Sequence, residues 1–289
     1  MASALDNLVA LLDLEQIEID IFRGLSPDVT HQRVFGGQVA GQALVAATRT
    51  VDPWTAGGLQ RFVHSLHAYF LRPGDPNLPI VYTVDRIRDG RSFTTRRVVA
   101  IQHGKAIFNL QASFHVVEPG LDYQTEMPEN IPAPESLPTY RERMAPYRDQ
   151  LGADYDRERP IDIRYVDGVP FEPPEHSSAR RQVWMRADGT LQDDPTLHAC
   201  IVTWASDDTL LDTAILPHRK EWTGFNFQMA SLDHAMWFHR PFRADEWLLY
   251  DQSTPSTSGA RGLAFGSIYT RDGKLAVSVV QEGVIRLLR

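Results

Sequence analysis

Three polar residues, far apart in the 289-residue chain, have types that can move a proton or hold a water. Asp207 stands in Ser206-Asp207-Asp208, at the expected N-terminus, near Ser206, of a helix spanning Trp204 to Leu216. In the simpler reading it caps that helix by accepting backbone N–H bonds. The same position suits catalysis, because a carboxylate fixed at the start of a buried helix stays ionised and can orient or deprotonate a water. Gln281 shares strand parity with Leu275, Val277 and Val279. It therefore points to an apolar face and requires a hydrogen-bond partner there. Ser231, in Met229-Ala230-Ser231-Leu232-Asp233-His234, reads by itself as a structural strand serine.

Other chemistries are poorly supported. The chain has no G-x-S-x-G elbow, no H-E-x-x-H and no Walker A run. His64 with His67, and His234 with His239, lie in expected strands at odd separations, which places each pair on opposite faces and suits chelation badly. No metal and no cofactor is expected. Asp193-Asp194-Pro195-Thr196-Leu197-His198 superficially matches an Asp/His hydratase signature. It lacks the glycine before the Asp and the asparagine before the Pro, and its Pro-to-His spacing is one residue too long. Gly36-Gly37 reads as a turn into a helix, since the spacing and following lysine of a phosphate cradle are missing. The single Cys200 excludes an intramolecular disulfide and a cysteine-built metal site, and reads as a packed core thiol.

The elements that must position these residues follow from periodicity. Ser3 and Asp6 form a capping-box start, with Leu5, Leu8, Val9 and Leu12 on one face of a short helix. Ile17, Ile19 and Ile21 alternate with Glu18 and Asp20 as a half-buried strand. Phe35–Ala47 is apolar nearly all round and rich in small side chains, hence a buried helix that a sheet can approach closely. Strands are expected around 62–71, 78–88, 93–102 and 105–117. In the last, Phe108, Leu110, Ala112, Phe114 and Val116 share a face. The turns at 88–91 and 102–105 have hairpin chemistry, so the sheet is antiparallel and the unit α+β. Prolines then crowd the stretch between 119 and 174, which marks an irregular surface crossing with a polar helix over 138–153. After 181 the pattern recurs, with strands around 226–239, 246–253, 260–270 and 274–286. His67-Ala68-Tyr69-Phe70 aligns with His234-Ala235-Met236-Trp237, the turn at Gly104 with that at Gly273, and Gln111 with Gln281. This is a degenerate tandem duplication, with domains at 1–118 and 181–289 joined by the connection 119–180.

Composition agrees with a large globular protein. Lys and Arg total 29 against 37 Asp and Glu, a net charge of −8, which argues against nucleic acid as the main partner. No run approaches the length of a membrane helix, the start lacks a basic, apolar secretory leader, and the last residues are not a peroxisomal address. A cytoplasmic protein without membrane insertion is expected.

Taken together, the motifs resemble the acyl-CoA thioesterase II family. They are Phe35-Gly36-Gly37-Gln38-Val39-Ala40-Gly41-Gln42-Ala43-Leu44, Val63–Asp75, Trp204-Ala205-Ser206-Asp207, Asp233–Phe242 and Val280-Gln281-Glu282-Gly283-Val284. The resemblance implies two tandem hot-dog domains, each an antiparallel sheet wrapped around a long central helix, packed as an intramolecular pseudo-dimer. It implies acyl-CoA as substrate and hydrolysis without a covalent intermediate. It also assigns Asp207, Ser231 and Gln281 as the residues acting on the attacking water, with Ser231 where some relatives carry Thr. The first half has Gly37 or Gln38 near the place of Asp207 and is expected to be inactive, leaving one site per chain. Assembly into a dimer or larger is expected. A non-catalytic acyl-CoA binder on the same fold is the alternative, and free-thiol release separates the two.

Overall fold

The computed structural model describes residues 2–27, 33–55, 57–168, 178–221 and 227–288. Helix α1 (Ala4–Leu12) carries the expected reciprocal capping box between Ser3 and Asp6, and buries Leu5, Leu8 and Leu12. The strand expected through Ile17–Ile21 is instead a hairpin, β1 (Glu15–Glu18) turning into β2 (Ile21–Gly24). Asp20 turns the chain with φ 60°, and Ile17 and Ile19 are left exposed. Alternation here does not report burial.

Helix α2 (Gly36–Thr48) is buried along nearly its whole length. Strands β3 (Arg61–Phe70), β4 (Ile80–Asp89), β5 (Phe93–Gln102) and β6 (Lys105–Val116) follow as expected from the alternation. His103 and Gly104 both take positive φ, 50° and 68°, between the paired Gln102 and Lys105. That is the two-residue turn whose twist matches the strands it joins.

The connection does not hold one helix over 138–153. It holds the short pieces α3 (Tyr140–Met144), α4 (Arg148–Leu151) and α5 (Ala153–Asp156), interrupted around Pro146 and at Gly152, whose φ is 55°. Nor does it only run over a surface. Met144 is buried, and strand β7 (Ile161–Tyr165) enters the sheet with Ile161, Ile163 and Tyr165 in the core. Pro170, Pro173 and Pro174 lie outside the described residues. Strand β8 (Arg180–Ala187) pairs with β7, and neither strand was expected.

The second central helix departs most from expectation. Helix α6 spans Pro195–Ser206 and ends where the sequence reading placed a start. Its N-cap is Asp194, which accepts from the Thr196 N–H, with Pro195 in the first turn. A turn and a tight helical stretch (Leu211–Glu221) follow. The expected strand 226–239 is two strands, β9 (Phe227–Ser231) and β10 (Asp233–Phe238), with residue 226 outside the described residues. Ser231 opposes Gly283 while Ala235 opposes Val280, so the register slips by one at Leu232. Strands β11 (Leu248–Ser258), β12 (Arg261–Thr270) and β13 (Leu275–Leu287) complete the chain.

All strands join one antiparallel sheet in the order β1-β2-β4-β5-β6-β3-β10-β13-β12-β11-β8-β7, with β9 added on β13. The halves fuse where β3 pairs with β10. Helices α2 and α6 pack against each other within it. A methyl group on Gly37 would lie 2.2 Å from the Trp204 carbonyl oxygen, and one on Gly41 3.3 Å from that of Cys200. The small residues of α2 thus serve approach to a helix as well as to the sheet. Residues of both halves, and of the connection, share one hydrophobic core.

The register also corrects the internal alignment. Leu66 lies opposite Met236 and Ala68 opposite His234, so exchanging the halves carries Leu66 onto His234 and Ala68 onto Met236. His67 therefore corresponds to Ala235, not to His234. A one-residue slip turns every strand side chain to the other face, and His67 is exposed whereas His234 is fully buried. Ala112, opposite Leu66, takes the place of Gln281, and Val63 that of Ser231.

Candidate active site

The three residues named from sequence converge. Asp207 is the C-cap of α6, Ser231 ends β9, and Gln281 lies fully buried in β13. The Gln281 Nε2 amide donates to Asp207 Oδ1 at 2.6 Å and to Ser231 Oγ at 2.8 Å. Ser231 Oγ donates to the same Asp207 oxygen at 3.2 Å. The triangle closes.

Asp207 sits at the wrong end of its own helix for the electrostatic support expected of it. A helix C-terminus disfavours a carboxylate. The support comes from the other half instead: the backbone N–H of Gly37, in the first turn of α2, donates to the Asp207 carboxylate. Gly36 gives it room, since a methyl group there would lie 2.6 Å from Asp207 Oδ2. Gly36-Gly37 is thus more than a turn into a helix. The N-cap residue of α2, Phe35, has no side-chain acceptor, so apart from the Gly37 N–H taken by Asp207 the first-turn N–H groups are unclaimed by a local cap. Gly37 is a neighbour of Asp207 in space, and not its counterpart; the residue that caps α2 as Asp207 caps α6 is Arg49. With Val63 and Ala112 in the other two places, the first half holds no second trio.

Burial raises the Asp207 carboxyl to about 6, working against the hydrogen bonds from Gln281, Ser231 and Gly37, while neighbouring Asp208 pushes the same way as burial. A carboxylate near 6 is ionised at neutral pH and still basic enough to accept a proton.

Two supports were missed in the sequence. The turn after Asp207 is clasped by Gln252, which donates to Thr209 Oγ1 at 2.5 Å and accepts from Thr213 Oγ1 at 2.9 Å. The parity that singles out Gln281 also singles out Gln252, inward with Leu248 and Tyr250 and fully buried. Ser206 Oγ lies 2.8 Å from His234 Nε2, both buried, directly behind the trio. Cys200 is buried, its thiol pushed well up by burial, and takes no part. Among the described residues no cluster of three or more His, Cys, Asp or Glu could hold a metal ion, and no helix is long and apolar enough to cross a membrane.

Residues 167–284 match the acyl-CoA thioesterase family model, and residues 25–115 match that of the acyl-CoA thioesterase N-terminal domain. Acyl-coenzyme A thioesterase 8 of Mus musculus is 43% identical over 97% of this chain and 89% of its own length. Acyl-CoA thioesterase 2 of Haemophilus influenzae is 38% identical over 99% of each chain. The crystal structure of acyl-CoA thioesterase II TesB2 from Mycobacterium marinum superposes with a TM-score of 0.80 at 46% identity, covering 97% of this chain and 98% of that one. With its two hot-dog halves fused into one sheet, the chain belongs to the acyl-CoA thioesterase II family of thioester hydrolases.

Proposed function

We propose that Asp207 is the general base of acyl-CoA thioester hydrolysis in this chain, acting directly on water. The observation carrying this is the closed triangle on Asp207, half-buried and held near 6 between three donors. A water beside the carboxylate attacks the thioester carbonyl carbon and gives its proton to Asp207. Ser231 and Gln281 hold carboxylate and water in line, so little ordering is left for the reaction step. The negative charge developing on the carbonyl oxygen meets the uncapped first turn of α2, whose N–H groups and dipole favour an anion. The tetrahedral species then collapses, the C–S bond breaks, and the proton on Asp207 is available to the departing thiolate. The products are the free acid and CoA, and no acyl-enzyme forms.

The test is free-thiol release from a panel of acyl-CoAs, with Asp207→Ala beside the parent protein. Turnover by the parent separates the enzyme from a binder. The variant is expected to lose turnover by about a hundredfold or more. A folded Asp207→Ala protein with near-normal turnover refutes the mechanism.

A further inference from the structure

The Gln281 amide must be held one way round. Its Nε2 faces Asp207 Oδ1 and Ser231 Oγ. Turned over, it would press a carbonyl oxygen against a carboxylate. On the far side the Oε1 atom is fully buried and has no hydrogen-bond partner among the described residues, so a donor there would reinforce that orientation. The same holds for one other atom beside it, Nδ1 of His234. Continuing the pairing of Ala235 with Val280 puts His234 directly across from Gln281 on the same buried face. The Gln281 side chain favours the protonated imidazole against the effect of burial, as an acceptor facing it would.

We infer that His234 is a positioning residue of the site, its Nδ1–H donating to Gln281 Oε1 and so fixing Gln281 Nε2 toward Asp207 and Ser231. Hydrogen counting supports this assignment. Burial holds the imidazole down at about 4, so at neutral pH the ring carries a single N–H. If that hydrogen were on Nε2, facing Ser206 Oγ at 2.8 Å, the bare Nδ1 and Oε1 would be two acceptors buried against each other. With the hydrogen on Nδ1, Nδ1 and Oε1 are both satisfied, and the Ser206 hydroxyl, which lies 3.0 Å from the Thr203 carbonyl oxygen and 2.8 Å from Nε2, turns its hydrogen to the nearer Nε2. A chain of contacts then runs from Ser206, at the end of α6, through His234 to Gln281 and back to Asp207, one residue beyond Ser206.

The assignment rests on the proposed working role of Gln281, and two measurements separate its failure from the failure of that role. The first needs no variant. Long-range 1H–15N spectra of 15N-labelled protein, with the ring identified through contacts to its neighbours, report which nitrogen is protonated. Nδ1–H is expected, and an Nε2–H ring overturns the inference. The second compares His234→Gln, whose amide reaches Ser206 but leaves Gln281 Oε1 without a donor, with His234→Asn, whose Nδ2–H replaces Nδ1–H. His234→Gln is expected to lose about ten- to a hundredfold in kcat with KM within about twofold, and His234→Asn to recover to within about threefold of the parent. Equal losses in the two variants, or none in His234→Gln, would overturn it. A fully active Gln281→Ala protein would instead refute the role given to Gln281, and the ring protonation would still be read independently.

Discussion

Asp207→Asn should make the protein more stable at neutral pH while removing its activity. The unfolded carboxyl titrates at 3.8 and the folded one at about 6. Between those values the native state keeps a proton that the unfolded chain has released. The contribution of Asp207 to stability is thus fully present below 3.8 and is lost as pH rises through 6. A gap of about two pH units corresponds to about 3 kcal/mol of destabilisation at pH 7. This is an upper bound, since Asp207 is only partly covered. Asparagine avoids the charge but matches the Gly37 N–H less well, so a net gain of about 1–3 kcal/mol is expected. For a chain of this length that is a rise of about 2–6 °C in Tm. Asp208, pushed up by burial, and Asp212, raised to about 6 by burial, behave alike in both proteins and cancel. The assay is thermal or urea unfolding of both proteins at pH 7 and pH 4, beside thiol release. The gain should be largest at pH 7 and nearly gone at pH 4. An Asp207→Asn protein that is equally destabilised at both values refutes the reasoning, because the carboxylate would then not be held at a cost.

Gly36→Ala, which would bring a methyl group to 2.6 Å from Asp207 Oδ2, should lower kcat at least about tenfold while leaving the circular dichroism spectrum intact. Gln252→Leu breaks both hydrogen bonds of the clasp and should cost about 1–3 kcal/mol in urea unfolding, with kcat falling more than KM changes. Ser231→Ala removes one donor to Asp207 and one acceptor for Gln281, and should cost about ten- to a hundredfold in kcat with little change in acyl-CoA affinity. Light scattering should report a dimer or larger, since Tyr69 and Phe265 stay exposed.

What could be read from the sequence divides along physical lines. Strict alternation with one buried face, as in Phe108–Val116, gave strand and facing together, and it was the same parity that picked out Gln281. Turns with fixed dihedral demands, such as His103-Gly104, were equally clear. The second central helix lies N-terminal to its expected place because Ser206-Asp207-Asp208 has the composition of a helix start, whereas the true start, Asp194-Pro195, is masked by its likeness to a hydratase signature. Strand β7 was missed because prolines on both sides of a five-residue strand outweighed its alternation, visible only as Ile161, Ile163 and Tyr165. The repeat was found, but spacing alone could not choose between alignments one residue apart. The bulge at Leu232 and the pairing of β3 with β10 make that choice. The part of the site no local pattern could announce is the Gly37 N–H, since it reaches Asp207 from another helix.

That contact between Gly37 and Asp207 gives the duplication a meaning that symmetry alone would not. Two identical halves would each have to supply both an acid at the end of one helix and an open backbone at the start of the other. Joined in one polypeptide, they are free to divide the labour: the first half supplies the open helix start and has apolar Val63 and Ala112 at the strand positions, and the second supplies the acid. On the proposed mechanism neither half suffices alone, and cutting the chain within the connection should yield fragments that regain turnover only when mixed.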